Sequence, residues 1–277
     1  MTNLTQSGTG TDADRALKAK HRAMWAFGDY TSVSREVIPH LGLRLVEAAG
    51  IGAGDHVLDV AAGDGNATIP AVEAGAHVIA SDLTPELLEK GREEAGDRAG
   101  LSWQEADAEA LPFEDGAFDK VISCVGVMFA PHHEQAAAEL LRVTRPGGTI
   151  ALASWTPEGF IGQMFATMKP FVPAPPPGVQ PPPLWGKEEH VQSLLGDGAE
   201  LTTKRELLPV TRFSGPEDFR EFFKAYYGPT IAAYKANADD PEKVAELDRA
   251  LAELAGRYCD ADGNMEWEYL LVTARRT

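Results

Sequence analysis

Apolar runs that end beside an acidic residue alternate with amphipathic stretches along the first half of the chain. The runs at 57–60, 78–81 and 118–125 are largely apolar, which is typical of strands buried on both faces of a parallel sheet. Apolar residues at helical spacing follow at 67–74 and 133–143. This alternation predicts an α/β fold with a doubly wound sheet.

The second half adds predicted strands at 149–155, 200–213 and 265–275, which brings the expected sheet to seven strands. Helices predicted at 216–236 and 241–258 form an insertion before the last strand. Aromatic residues recur at helical spacing in this insertion, and we expect most of them in the core and the rest at an acceptor pocket or a dimer contact. They are Phe219, Phe222, Phe223, Tyr226 and Tyr227.

Two predicted helices, at 16–27 and 34–49, precede the sheet and take no part in building it. Prolines cluster after Trp155 and favour an extended connection with a short apolar helix at 160–168. The pattern divides the chain into a disordered tail (1–14), an N-terminal helical lid (15–50), a sheet core (51–156), a Pro-rich loop (157–186) and the rest of the sheet (187–277) with its insertion (216–258).

The turn after the first strand has the composition of a ligand site. Asp59 lies within this strand, and small residues with glycines at Gly63 and Gly65 follow it at once. Glycine lets the backbone approach a ligand closely, and the helix after the turn presents unpaired N–H groups at its positive end.

Two further acids follow later strands. Asp82 comes roughly 20 residues after the glycine turn, which is the usual place for a carboxylate that binds a ribose diol. Thr84 and Pro85 favour a helix start directly behind it, which would hold Asp82 at the carboxyl edge of the sheet. Asp107 closes the next predicted strand. The ligand is therefore expected to carry a nucleoside.

Together with the RPGG turn at 145–148, these motifs resemble the class I S-adenosylmethionine-dependent methyltransferases, particularly the branch with ubiquinone and menaquinone biosynthesis enzymes. The resemblance covers about 57–155 and implies a Rossmann-like fold and S-adenosylmethionine as cofactor. By this resemblance the methionine end of the cofactor would bind at Asp59, Ala61, Gly63 and Gly65, and the backbone near Cys124 would contact the amino acid moiety. Asp82 would bind the ribose. The adenine would contact Leu83, Asp107 and Ala108. The chain departs from the family in having Ala61 where glycine is frequent.

In the resembled family, N-terminal helices cover the cofactor as a lid. Trp25 and Tyr30 are then candidates for the pocket, with Tyr30 beside the cofactor. Trp25, Met128 and Phe129 are the candidate substrate-binding residues. Packing within the lid is the alternative role for both lid aromatics. A closed lid would exclude water from the reaction.

Methyl transfer is an in-line displacement that mainly requires alignment of the acceptor, although a hydroxyl acceptor also needs a base. His132 and His133 follow the fourth strand at the expected ligand edge and are the candidate catalytic residues. His133 has the alternative role of starting a helix. Carbon or activated nitrogen acceptors would need no base.

A nicotinamide-dependent oxidoreductase is the main competing interpretation, but its fingerprint requires glycine at Ala61 and Asn66. Tyr-x-x-x-Lys, Walker, H-E-x-x-H and G-x-S-x-G signatures are absent as well. A protein that keeps the methyltransferase fold for a cyclisation or for binding remains the second alternative. Cys124 is expected to be a small buried residue and not a nucleophile.

The formal net charge of −17 opposes nucleic-acid binding, because such binding depends on cationic residues. The sequence shows no signal peptide and no apolar run of membrane-spanning length. Its two cysteines suit a reducing cytoplasm. We therefore expect a cytoplasmic enzyme that acts on a small, partly apolar metabolite. No metal site is expected. A homodimer is one possible oligomeric state.

Overall fold

The computed structural model describes residues 12–277. Within them the chain forms a seven-stranded sheet in the order β3-β2-β1-β4-β5-β7-β6. The strands are β1 (His56–Val60), β2 (His77–Asp82), β3 (Leu101–Glu105), β4 (Phe118–Cys124), β5 (Thr144–Trp155), β6 (Ala199–Val210) and β7 (Met265–Arg276). The first five strands are parallel, whereas β7 runs antiparallel between β5 and β6. The predicted Rossmann-like α/β fold is confirmed.

Eleven α-helices surround the sheet within the same residues. They are α1 (Asp12–Trp25), α2 (Tyr30–Glu36), α3 (Leu41–Ala49), α4 (Thr68–Glu73), α5 (Pro85–Ala95), α6 (His133–Val143), α7 (Phe160–Met168), α8 (Glu188–Leu195), α9 (Pro216–Tyr226), α10 (Gly228–Ala236) and α11 (Pro241–Tyr258). Apolar side chains of the central strands are fully buried between the helical layers, as the apolar runs require.

The N-terminal helices differ from the expectation in two places. The helix expected at 34–49 is two helices, α2 and α3, because Pro39 cannot continue a helix and restricts the residue before it. The first helix begins at Asp12, so the expectation of a disordered tail is wrong for residues 12–14. Its remainder, residues 1–11, lies outside the described part of the chain.

The insertion between β6 and β7 contains three helices and not two. The expected helix at 216–236 breaks at Tyr227, directly before Gly228 and Pro229, and continues as α10. The aromatic side chains of the insertion lie mostly in the core, as expected, with Phe219 and Phe223 almost fully buried and Tyr226 exposed. They pack around Trp267 of β7, which joins the insertion to the sheet.

Most other elements lie within a residue or two of their expected positions, and α6 and α7 match theirs, but β6 ends at Val210, three residues before its expected end. The RPGG turn differs because it belongs to β5, whose pairing with β4 shifts register at this point. The Pro-rich stretch carries α7 and short 3₁₀ turns at Lys169–Phe171 and Pro182–Gly186, and Trp185 of the second turn is fully buried. Among residues 12–277 no helix is both long and apolar enough to cross a bilayer.

Candidate active site

A pocket with about 830 Å³ of empty space, part of it open to solvent, lies at the carboxyl ends of β1, β2 and β4 beneath α1 and α2. Ligands of doubly wound sheets bind at this edge. Ten residues expected from the sequence line the pocket. They are Trp25, Tyr30, Ala61, Gly63, Asp82, Leu83, Asp107, Ala108, Cys124 and Phe129.

The turn after β1 has a tightly curved backbone. Ala61, Gly63 and Gly65 all have positive φ, at 54°, 59° and 95°. Ala61 is unusual in this region, since a β-carbon is disfavoured there, and such conformations concentrate at functional sites. A β-carbon at Gly126 would lie 2.2 Å from the Ala61 carbonyl oxygen, so the backbones after β1 and β4 are in direct contact. This contact forms the floor of the pocket.

Asp82 connects the ends of β1 and β2. Its Oδ2 accepts a hydrogen bond from the Gly63 amide at 2.9 Å, and its Oδ1 accepts one from the Thr84 amide at 2.8 Å. Burial raises the pKa of Asp82 above its ordinary value, and these two bonds oppose that shift. A carboxylate has about four lone-pair sites, so both oxygens retain capacity for a ligand in the pocket.

Asp59 and Gly65 support the turn from behind and do not line the pocket. Asp59 accepts a hydrogen bond from the Thr68 hydroxyl at 2.7 Å, and burial raises its pKa to about 7. At Gly65 an added β-carbon would lie 2.7 Å from the ring of Trp103, which explains the glycine by packing. Met128 is fully buried and also lies outside the lining.

The two histidines after β4 do not reach the pocket lining. His133 is buried, and its Nδ1 lies 2.9 Å from Nε2 of His190 on α8. Burial and the nearby His190 lower the pKa of His133 to about 4. The His132 ring lies 3.0 Å from a carboxylate oxygen of Glu109. The expectation of a base at His132 or His133 gains no support from these positions.

Lys18 and His21 line the pocket although the sequence analysis did not select them. With Trp25 they recur at positions i, i+3 and i+7 of α1 and therefore lie on one face of the helix. This spacing was present in the sequence, but a charged helix face usually contacts solvent. Burial lowers the pKa of His21, so its imidazole is neutral near pH 7.

An aromatic wall, made of Trp25, Tyr30, Phe129 and Tyr227, closes the pocket beside β4. The Trp25 ring meets each of the other three rings in an edge-to-face contact, with centroids 4.7 to 5.8 Å apart. Tyr30 also packs near the glycine turn, because a β-carbon at Gly63 would lie 3.7 Å from its ring. Burial raises the pKa of the neighbouring Cys124 thiol, so this cysteine is not activated as a nucleophile.

Known proteins with the same sequence features identify the family. The methyltransferase domain family matches residues 58–152. The uncharacterized protein Rv1405c of Mycobacterium tuberculosis is 54% identical over 95% of this chain and 96% of its own length. A demethylmenaquinone methyltransferase of Renibacterium salmoninarum is 38% identical over 40% of this chain and 46% of its own length. The chain belongs to one family with Rv1405c and carries a methyltransferase domain. It is therefore a methyltransferase.

Solved structures show the same fold for this methyltransferase. The YcgJ protein of Bacillus subtilis superposes with a TM-score of 0.58 at 19% identity, covering 86% of this chain and 98% of YcgJ. The [4+2]-cyclase SpnF superposes with a TM-score of 0.56 at 22% identity, covering 86% of this chain and 80% of SpnF. The methyltransferase domain at residues 58–152 favours methyl transfer over the oxidoreductase interpretation.

Proposed function

We propose that this methyltransferase transfers the methyl group of S-adenosylmethionine to a small, partly apolar metabolite. The main support for the proposal is the aromatic wall. Its residues Trp25, Tyr30 and Phe129 line the same pocket as the two carboxylates expected to bind the nucleoside, those of Asp82 and Asp107. Aromatic rings at this position favour a flat or apolar acceptor, and pockets of this kind bury most of a small ligand. The strongly negative charge of the chain supports a small-molecule acceptor over a nucleic acid.

The residues of the pocket fit the cofactor. Asp82 presents a buried carboxylate with spare lone pairs, as a ribose diol requires. Leu83 offers an apolar contact for a purine, and Asp107 with the amide of Ala108 would meet its polar edge. Gly63 allows close approach of the backbone at the methionine end. When bound, the cofactor supplies an activated methyl group on a positively charged sulfur.

The protein's contribution to the reaction is then mainly alignment and exclusion of water. Tyr30 would cover the methionine end, and Trp25 with Phe129 would hold the acceptor against it. His21 replaces His132 and His133 as the candidate base for a hydroxyl acceptor, since it is neutral and lines the pocket. We assign it this role only for acceptors that must lose a proton.

The test is acceptor-dependent formation of S-adenosylhomocysteine. Purified protein is incubated with methyl-labelled S-adenosylmethionine and a panel of phenols, quinols, amines and indoles, and both products are measured by mass spectrometry. A His21→Gln variant should lose rate with phenols and quinols but retain it with acceptors that need no base. The loss should be about 10²- to 10⁴-fold and smaller at high pH, where the acceptor ionises by itself.

The second candidate is a reaction on the same fold without methyl transfer. The [4+2]-cyclase SpnF shares the sheet and the helical layers. Tight binding of S-adenosylmethionine without acceptor-dependent demethylation across the panel would favour this candidate and contradict the proposed methyl transfer.

A further inference from the structure

The lid helix α1 contacts the adenine end of the pocket through one lysine. Lys18 Nζ lies 2.7 Å from Asp107 Oδ2 and 2.6 Å from Glu109 Oε2, and 3.2 Å from Asp14 Oδ2 of the same helix. Asp107 is the residue assigned above to the adenine edge. A residue of the lid therefore holds a residue of the cofactor site directly.

The Lys18–Glu109 pair is largely buried, unlike the Arg22–Glu105 pair on the same helix. The side chains of Lys18 and Glu109 are 14% and 1% exposed and that of Asp107 is 28% exposed, whereas those of Arg22 and Glu105 are 41% and 53% exposed. Exposed pairs contribute little to stability. Removing one partner of a buried pair is costly, because the other charge stays behind without compensation.

Glu109 is fixed from the protein side, which makes the contact a rigid anchor. Its Oε1 accepts a hydrogen bond from the His132 amide at 2.6 Å, and His132 Nδ1 lies 3.0 Å from Oε2. Although burial by itself lowers the pKa of Lys18, the hydrogen bonds and charges of Asp107 and Glu109 raise it overall. Lys18 is therefore charged at every physiological pH.

The cation in this cluster belongs to the protein itself. One ligand atom each from Asp14, Glu109 and His132 lies within 4.8 Å of the others, a spacing that suits a metal ion. The Lys18 ammonium already contacts two of these residues at hydrogen-bond distance. The Lys18 ammonium group of α1 therefore takes the place that a metal ion would otherwise occupy in this cluster.

Asp107 is oriented on both sides. Its Oδ1 accepts a hydrogen bond from the Glu109 amide at 2.9 Å, while Oδ2 faces Lys18. Each oxygen retains a lone pair, so the carboxylate can still accept from an exocyclic amino group in the pocket. Without Lys18, Asp107, Glu109 and Asp14 would repel one another, and both the carboxylate and α1 would lose their fixed position.

We propose that Lys18 is a positioning residue for adenine recognition: it orients Asp107 and anchors α1 over the pocket, so that lid closure and discrimination for adenine are coupled. This inference rests on the proposed cofactor site. It predicts two linked effects of losing the ammonium group, namely weaker binding at the adenine end and a more mobile α1 before any ligand binds.

The experiment compares Lys18→Met with Lys18→Arg and with Lys20→Met, a control at an exposed position of the same helix. Calorimetry measures binding of S-adenosylhomocysteine and of S-inosylhomocysteine, whose base carries an oxygen in place of the amino group. Lys18→Met should lower the affinity for S-adenosylhomocysteine about tenfold or more and reduce the preference over the inosyl analogue. Lys20→Met should match the parent, and Lys18→Arg should restore most of the preference.

Hydrogen exchange of residues 12–25 in the ligand-free protein gives a second readout, with faster exchange expected in Lys18→Met only. Should that variant fold poorly, Lys18→Gln removes the same charge but keeps a polar side chain, and it should show both effects. Equal loss of affinity for both ligands, unchanged affinity, or no adenine preference in the parent protein would overturn the inference. Failure of the proposed cofactor site is distinguished because the parent protein would then not bind S-adenosylhomocysteine.

Discussion

Replacing Asp82 with asparagine separates the structural role of this residue from its role in binding. The carboxylate accepts two backbone amides, from Gly63 at 2.9 Å and from Thr84 at 2.8 Å, with a different oxygen for each. Asparagine has one acceptor oxygen, so one amide loses its partner, which costs about 1–3 kcal/mol. Removing a buried charge recovers part of this, as the raised pKa of Asp82 indicates. We expect the unfolding free energy to fall by about 1 kcal/mol.

Cofactor binding should suffer more than stability. Loss of charged hydrogen bonds to the ribose diol corresponds to about 1.5–3 kcal/mol, or about 10- to 100-fold in affinity for S-adenosylhomocysteine by calorimetry. Asp55→Asn is the matched control, because Asp55 also accepts a backbone amide, from Gly52 at 2.9 Å, but lies before β1 at the far end of the strand. Equal affinities of the Asp82→Asn variant and the parent would refute the assignment of the ribose site.

Two further predictions concern stability. The unfolding free energy should fall by about 2 kcal/mol as the pH drops from 6.5 towards 4. In the folded protein burial lowers the pKa of His133 to about 4, so over this range the histidine is protonated in the unfolded chain but stays neutral in the folded one. Chemical denaturation at a series of pH values should show this fall in the unfolding free energy. If the double variant His133→Gln/His190→Gln shows the same fall, His133 is not its cause. Gly91→Ala should cost about 1–3 kcal/mol because the new β-carbon would lie 2.4 Å from Trp103. Gly52→Ala meets nothing within 4 Å, and equal melting temperatures of the two variants would disprove the clash.

The sheet could be predicted because its central strands are buried on both faces and therefore apolar throughout. The helix boundaries were less secure wherever a proline lay inside an amphipathic pattern. Apolar spacing continued across Pro39 and Pro229, but the backbone cannot remain helical there. Local backbone chemistry outweighed periodicity at both positions.

The pocket floor was predictable for a geometric reason, since the carboxyl ends of neighbouring parallel strands meet at one edge. The contacts of α1 were not predictable in the same way. Lys18 and His21 are polar residues typical of a solvated helix face, and they line the pocket only because α1 packs over it. His133 shows the opposite case. Its place in the chain is next to the pocket, yet the start of α6 directs its ring towards His190.

The end of α1 and the turn after it touch the insertion through two glycines. A β-carbon at Gly228, the first residue of α10, would lie 2.4 Å from the Met24 carbonyl oxygen of α1, and one at Gly28, after α1, would lie 2.6 Å from that of Tyr226 at the end of α9. Helix α10 starts at the end of the aromatic wall, since Tyr227 directly precedes it and contacts Trp25. During divergence, a substitution in the insertion that admits a new acceptor would also displace α1, which lies over the pocket. Acceptor range and cofactor affinity are therefore expected to evolve together in this lineage, through paired changes in two segments some 200 residues apart in sequence.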